Sequence, residues 1–172
     1  LVVAHSPATN LIVTGLPRSG VALASALIDG LPDSFCFNSP PWHAHIVRKL
    51  GAPLPMCKWL VGEFAWQRKQ LLSNAHVLDY RAKDTAPLTD LLLDPRRVIN
   101  EDGVMMTVET SRPGLSQNVL LGMSHASLYT AILPQLAAFD HFKIIAIIRN
   151  PVDVILAWQK WPETFIAKGN PP

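Results

Sequence analysis

A short loop near the start of the chain has the residue types and the spacing that bind an anion. The sequence from Thr14 to Gly20 reads T-G-L-P-R-S-G, and it follows the apolar run Leu11–Val13. A loop between a buried strand and a helix presents backbone N–H groups at the helix N-terminus, where phosphate is the usual guest. Arg18 adds a positive charge inside the loop. The pattern therefore predicts a site for a phosphate-like anion.

The same loop departs from the motif that binds nucleoside triphosphates with a metal ion. Gly15 and Gly20 have the spacing of the first half of G-x-x-x-x-G-K-[ST]. Val21 stands where that motif has its phosphate-binding lysine, and Ala22 stands where it has the hydroxyl that binds Mg²⁺. A metal-dependent NTPase would lack two of its main groups here. The loop therefore does not favour that class of enzyme.

A second basic residue follows another strongly apolar run. Phe142–Ile148 reads as a strand, and Arg149, Asn150 and Pro151 come directly after it. Asn is a good N-cap and Pro is favoured at the first helical position, so a helix should begin here. A guanidinium beside a helix N-terminus suits a second phosphate. Either arginine by itself could be a solvated or salt-bridged residue, but the pair at two strand-to-helix junctions favours binding.

The elements that must position these residues alternate between apolar strands and helices, which predicts an α/β domain with a mainly parallel sheet. The predicted strands are 11–13, 35–37, 77–80, 104–108 and 142–148. The predicted helices are 20–28, 43–50, 60–73, 124–138 and 150–160, with Pro134 starting, kinking or breaking the fourth. Residues 81–102 read as a loop with a short helix.

Composition and charge restrict the function classes. The chain has 172 residues, of which 49% are hydrophobic and 16% charged, and this excludes a disordered low-complexity chain. A net charge of +2 is too small to indicate broad nucleic-acid binding. No apolar run reaches the roughly 18 residues of a transmembrane helix, and two cysteines make no disulfide framework. We expect one domain over residues 1–172, in the cytoplasm.

Three segments resemble the sulfotransferases. L-I-V-T-G-L-P-R-S-G (Leu11–Gly20) is similar to their 5′-phosphosulfate-binding loop, and Phe142–Trp158 is similar to their 3′-phosphate-binding segment. Ile28–Pro41 resembles the helix end and next strand of the bacterial and protein-tyrosine branches. The resemblance implies a three-layer, P-loop-like fold and the donor 3′-phosphoadenosine 5′-phosphosulfate (PAPS), used without a metal. The chain ends soon after the second segment, so we expect a sulfotransferase-like domain shortened at its C-terminus.

The resemblance also implies roles for individual residues. The reaction would move a sulfuryl group to a hydroxyl or amine of a small-molecule or protein acceptor. Arg18 would stabilise charge on the bridging oxygen, and Arg149 would hold the 3′-phosphate. The residues expected around the 5′-phosphosulfate are Gly15, Pro17, Arg18, Ser19, Gly20, Val21 and Ala22.

Two residues are candidates for the base that takes the acceptor's proton. His43 follows Trp42 near the expected acceptor side, and a histidine near its ordinary pKa can accept a proton. The alternative is that His43 is a surface residue. Glu109 ends the predicted strand 104–108 and could face the cleft; its alternative is a cap or a salt bridge with Arg112. No third ligand with suitable spacing accompanies the histidines at 43 and 45, so no metal site is predicted.

Several positions depart from the sulfotransferase pattern. Val21 and Ala22 stand where the family has two threonines, and Ala157 stands where it has a serine. Each missing hydroxyl removes a hydrogen bond to a charged group that is worth about 1.5–3 kcal/mol. Asn38 and Ser39 stand where related branches carry an acidic residue. A catalytically impaired member that binds a nucleotide or a partner is therefore the alternative, and a P-loop kinase is a further one.

Overall fold

The computed structural model describes residues 9–40, 42–79 and 108–159. The chain has an α/β fold in which strands and helices alternate along most of its length. In chain order its elements are β1 (Asn10–Gly15), α1 (Val21–Asp29), β2 (Ser34–Asn38), α2 (His43–Leu50), α3 (Pro53–Leu72), β3 (Val77–Asp79), β4 (Val108–Thr110), β5 (Leu120–Ser124), α4 (Leu128–Ala131), α5 (Leu133–Ala138), β6 (Lys143–Ile147) and α6 (Pro151–Gln159).

Four strands form a parallel sheet in the order β2-β5-β1-β6. Ile12 of β1 lies opposite Met123 of β5 and Ile144 of β6. The connection that leaves β1 runs past β5 to β2, and the connection that leaves β5 runs past β1 to β6. Adjacent strands β1 and β5 thus send their connections in opposite directions. Ligands of open α/β sheets bind at such a switch point, outside the carboxyl ends of the strands.

Helices cover both faces of this sheet because alternate residues of β1 point to opposite sides. Leu11 and Val13 pack with Val21 of α1 on one face. Ile12 belongs to the larger cluster on the other face, which includes Leu60 of α3 and Leu136 of α5. The arrangement is helix, sheet, helix, as expected for a three-layer α/β domain. In the described ranges, no helix is long and apolar enough to span a bilayer.

The central strand β5 was not predicted, and the helix predicted at 124–138 begins too early. Ser124 ends β5, and the helical stretch divides into α4 and α5, with Pro134 in the first turn of α5. Gly122 weakens the local strand pattern, since glycine in a strand offers no side chain to pack. The structure requires a glycine there, because a Cβ atom would lie 2.6 Å from the Sγ of Cys36 on the neighbouring strand.

The other predicted elements agree with the structure where it describes them. The strands at 11–13, 35–37 and 142–148 and the helices at 20–28, 43–50 and 150–160 are confirmed within one or two residues. The helix predicted at 60–73 begins earlier, with Pro53 in its first turn. Residues 80–107 lie outside the described ranges, so the loop at 81–102 is untested. Only residue 108 of the strand predicted at 104–108 is described, and β4 continues to Thr110.

Two arginines tie the helices to the sheet. Arg112 forms a 2.7 Å ion pair with the fully buried carboxylate of Asp29 at the end of α1, and it also donates to the carbonyl of Ser34. Arg68 of α3 donates to the carbonyls of Thr9 and Val119, which precede β1 and β5. Removing one partner of a buried ion pair costs about 3–5 kcal/mol. These contacts therefore hold α1 and α3 in fixed positions against the strands.

Candidate anion-binding site

The loop between β1 and α1 begins at Gly15 and ends at Gly20. A 3.0 Å hydrogen bond from the amide of Ser19 to the carbonyl of Leu16 closes a tight turn. Arg18 has φ 69, a left-handed conformation that costs a non-glycine residue about 1–3 kcal/mol and is found most often at functional sites. Gly20 caps α1 with φ 110, and no side chain caps the helix. The N–H groups of the first turn of α1 are thus left for a ligand.

The loop is folded so tightly that only glycine fits at position 15. A Cβ atom there would lie 2.6 Å from the carbonyl oxygen of Ile147 and 2.6 Å from the Oγ of Ser19. The Ser19 Oγ is buried and has no hydrogen-bond partner in the described part of the chain. A buried hydroxyl without a partner costs about 1–3 kcal/mol. An oxyanion seated in this loop would accept that hydrogen bond.

The structure brings the second basic junction to the first. The Nη1 atom of Arg149 donates to the carbonyl oxygen of Arg18 at 3.0 Å, although the two residues are 131 positions apart. The indole Nε1 of Trp158 donates to the carbonyl of Pro17 at 3.0 Å. The predicted N-cap is present, since Asn150 accepts a 2.9 Å bond from the amide of Val152. Both junctions therefore form one site at the carboxyl edge of the sheet.

A cavity of about 320 Å³ lies between the two junctions. Gly15, Leu16 and Ser19 line it from the loop, and Arg149 and Pro151 line it from the start of α6. The positive charge of Arg149 and the free hydroxyl of Ser19 are both on its wall. This combination suits a ligand that is partly apolar and carries an anionic group.

Thr130 of α4 holds the end of β1 and was not identified from the sequence. Its Oγ1 atom accepts a 3.1 Å bond from the amide of Gly15, and it lies 2.7 Å from the hydroxyl of Thr14. The same oxygen lies 2.9 Å from the carbonyl of Gly15 and 2.9 Å from that of Ala126. The sequence signal is weak, because a threonine inside a helix has no special spacing relative to a distant loop.

His43 is buried, so the alternative that it is a surface residue is wrong. Its Nε2 is 3.1 Å from the hydroxyl of Tyr129, and its ring packs against Trp42, Trp59 and His125. Burial, with a smaller contribution from His125, lowers the pKa of His43 from 6.5 to about 3. The expected ordinary pKa is therefore not found, and a group with this pKa accepts a proton poorly near neutral pH.

Glu109 lies in the two-stranded sheet of β3 and β4, which is separate from the sheet that carries the loop. Its carboxylate is 72% exposed and lies 3.6 Å from the Nδ1 of His76. The alternative of a salt bridge with Arg112 is wrong, because Arg112 pairs with Asp29. Because the side chain of Glu109 is exposed, it is not enclosed beside the anion site.

The three positions that lack a hydroxyl group of the sulfotransferase pattern differ in how deeply they are buried. Val21 is buried and packs with Leu11 and Val13, whereas Ala22 is exposed at the start of α1. Ala157 is half-buried on α6. A hydroxyl at position 22 would therefore face outward, but one at position 21 would be placed in the core.

In comparisons with known proteins, no family model matches this chain and no curated protein matches it. Among the described residues, no group of three or more His, Cys, Asp or Glu side chains could hold a metal ion. The loop, Arg149 and the contact that joins them are the features of this chain that indicate a function.

Proposed function

We propose that this chain is a P-loop-like sulfotransferase domain that binds PAPS and transfers its sulfuryl group to a hydroxyl or amine acceptor. The observation that carries the proposal is the contact of Arg149 with the carbonyl of Arg18. It places two basic strand-to-helix junctions in one site. PAPS carries anionic groups on both the 5′ and the 3′ side of its ribose, so it requires two anion-binding elements.

The first element is the loop that ends β1. In this proposal the orphan Oγ of Ser19 and the free N–H groups at the start of α1 bind the 5′-phosphosulfate. Pro17 and the left-handed turn at Arg18 set the direction of the loop, and Gly15 lets it approach β6 closely. Arg18 carries the charge that opposes the negative charge developing on the bridging oxygen.

The second element is the start of α6. Arg149 lies at the wall of the cavity, and its side chain contacts the loop. A guanidinium has several N–H donors in a fixed plane, so Arg149 can keep its bond to the loop and also bind a 3′-phosphate. The switch point between β1 and β5 places this pair where ligands of open α/β sheets bind.

Transfer requires that the bond between sulfur and the bridging oxygen breaks while a bond from sulfur to the acceptor oxygen or nitrogen forms. The acceptor's proton must pass to a base. His43 remains the residue predicted for this role, but its lowered pKa and its enclosure make it a poor base. Glu109 is the other candidate, and its position in the second sheet does not favour it.

A second candidate function is nucleotide binding without transfer. The lowered pKa of His43 favours it, because His43 is then a poor base for the acceptor's proton. Val21, Ala22 and Ala157 favour it as well, since each replaces a hydroxyl of the sulfotransferase pattern. A P-loop kinase is disfavoured more strongly, because Val21 and Ala22 replace the lysine and the metal-binding hydroxyl that it needs.

A calorimetric titration tests the proposal. We expect 3′-phosphoadenosine 5′-phosphate to bind without metal, and Arg18→Ala or Arg149→Ala to weaken it about 10- to 100-fold, the equivalent of about 1.5–3 kcal/mol. Lys69→Ala is the control, because it removes an exposed charge on α3 and should leave the affinity unchanged. Preference for ATP with Mg²⁺ would contradict the assignment.

A transfer assay distinguishes the two candidate functions. The protein would be incubated with PAPS labelled in its sulfuryl group and with a panel of hydroxyl and amine acceptors. Labelled product that disappears in Arg18→Ala supports the transferase. Tight binding of the bisphosphate without labelled product in any acceptor supports the binding protein instead.

A further inference from the structure

A second cavity, of about 620 Å³, lies between α2, α3 and β3. Three indole rings line it, those of Trp42, Trp59 and Trp66, and so do the side chains of Glu63 and Gln67. Most of its wall is apolar or aromatic. None of its residues belongs to the anion-binding site, so it is a separate feature of the fold.

The polar groups of this cavity have spare hydrogen-bond acceptors. Glu63 accepts a 2.8 Å bond from the Nε2 of Gln67. Gln67 is 2% exposed, and its Oε1 atom has no hydrogen-bond partner in the described part of the chain. The buried indole N–H of Trp42 also makes no hydrogen bond of good geometry, but it lies close enough to Glu63 to favour the charged carboxylate. Besides that N–H, the buried group of the cavity without a partner in the described part of the chain is the amide oxygen of Gln67, which is an acceptor.

Among the described residues that line the cavity, Glu63 is the one acidic side chain. Burial raises the pKa of Glu63, because a partly buried carboxylate loses part of its hydration. Among the described residues that line the cavity there is no lysine or arginine, and His76 at its edge faces the carboxylate of Glu109. A ligand with a positive charge would pair with Glu63 and offset its desolvation.

We propose that this cavity binds an organic cation, namely a primary ammonium group on an apolar body. An ammonium has three donors and no acceptor, which matches the free oxygens of Glu63 and Gln67. The faces of indole rings attract cations, and tryptophan does so most strongly. A neutral alcohol would leave the charge of Glu63 unpaired, and an anion would be repelled by it.

The site is connected to the anion-binding loop by packed side chains, but the proposal does not depend on sulfuryl transfer. Trp42 and Trp59 contact the ring of His43 with centroid distances of 6.0 and 5.9 Å. His43 contacts Tyr129, which precedes Thr130, the residue that holds Gly15. The cation site and the anion site can therefore be tested one at a time.

The test compares benzylammonium with benzyl alcohol, which has a similar shape and no charge. Binding to the full chain would be followed by calorimetry and tryptophan fluorescence at neutral pH. We expect saturable binding of benzylammonium, at least about 10-fold tighter than binding of the alcohol. Equal affinity for the two probes, or no saturation by benzylammonium at about 10 mM, would overturn the proposal.

Variants locate the site. Glu63→Gln keeps the shape of the side chain and removes its charge, so it should weaken benzylammonium binding at least about 10-fold. Asp140→Asn removes an exposed carboxylate elsewhere and should leave benzylammonium binding unchanged.

Trp66 is 53% exposed, so Trp66→Leu should fold and still weaken binding, which keeps the test valid if Glu63→Gln does not fold. Unchanged affinity in Trp66→Leu and in any folded Glu63→Gln protein would place the ligand elsewhere and refute the proposal. Titration with 3′-phosphoadenosine 5′-phosphate should give the same affinity in these variants as in the parent chain.

Discussion

The guanidinium of Arg149 donates a 3.0 Å hydrogen bond to the main-chain carbonyl of Arg18. This bond crosses from the start of α6 to the loop that follows β1, so it joins the two basic junctions. A side chain that is held by its own hydrogen bond loses less conformational entropy on binding than a mobile one.

Arg149→Lys tests whether the shape of the guanidinium matters as well as its charge. Lysine keeps the charge but has a single nitrogen, so it cannot hold the carbonyl of Arg18 and a phosphate with the same planar geometry. We expect affinity for 3′-phosphoadenosine 5′-phosphate to fall about 10-fold, measured by calorimetry. Full affinity in Arg149→Lys would show that only the charge is required.

Gly15→Ala should damage the loop. The new Cβ atom would lie 2.6 Å from both the carbonyl of Ile147 and the hydroxyl of Ser19. We expect a loss of about 1–3 kcal/mol in the free energy of unfolding, measured with urea, together with loss of bisphosphate binding. Gly62→Ala is the matched control, since a Cβ there meets nothing within 4 Å, and it should stabilise the middle of α3 by about 0.5–1 kcal/mol.

Thr130→Val should weaken the attachment of the loop while keeping the volume of the side chain. It leaves the amide of Gly15 and the hydroxyl of Thr14 without their shared partner, which should cost about 1–3 kcal/mol in urea unfolding. Thr130→Ser keeps the hydroxyl and should retain most of the stability. A loss in Thr130→Ser with stability retained in Thr130→Val would mean that the methyl group, and not the hydroxyl, matters.

Ala22→Ser should strengthen anion binding. Ala22 is exposed in the first turn of α1, so a hydroxyl there can donate to the anion without entering the core. We expect affinity for the bisphosphate to rise by up to about 10-fold in calorimetry. Ala65→Ser, the same change on the exposed side of α3, should leave the affinity for the bisphosphate unaltered. No gain in Ala22→Ser would indicate that the anion does not lie at this end of the helix.

Stability should depend on pH through His43. Its folded-state pKa is about 3, against 6.5 ordinarily, so the folded protein excludes a proton that the unfolded chain accepts. The contribution of neutral, buried His43 to the free energy of unfolding is therefore fully present above pH 6.5. It is lost as the pH falls from 6.5 toward 3. The free energy of unfolding should fall by about 1.4 kcal/mol per pH unit in the range where the unfolded chain binds one proton more than the folded protein.

Urea unfolding at about pH 7, 6 and 5 would measure this slope. His43→Phe keeps an aromatic ring in the cluster and should make the slope shallower. Burial also lowers the pKa of His125, so His125 contributes to the slope that remains in this variant. His141→Gln changes an exposed histidine and should leave the slope as it was. An unaltered slope in His43→Phe would assign the pH dependence to other groups.

Local patterns were sufficient to locate the two junctions. The strand, loop and helix around Gly15 and Gly20, and the helix that begins after Asn150, are confirmed because each depends on neighbours in sequence: an apolar run, a cap and a proline. The α/β class follows from the same alternation. The sulfotransferase activity and the roles of Arg18 and Arg149 in it remain predictions.

Features that depend on distant pairing were decided only by the tertiary structure. The strand β5 carries Gly122, which has no strand signal of its own and is needed because Cys36 lies beside it. The burial of His43 depends on Tyr129, 86 residues away, and the contact of Arg149 with Arg18 spans 131. The sequence alone determined where the chain turns and which residues carry charge there. Only folding decided which of those residues meet, since such contacts depend on packing between elements that are far apart in the chain.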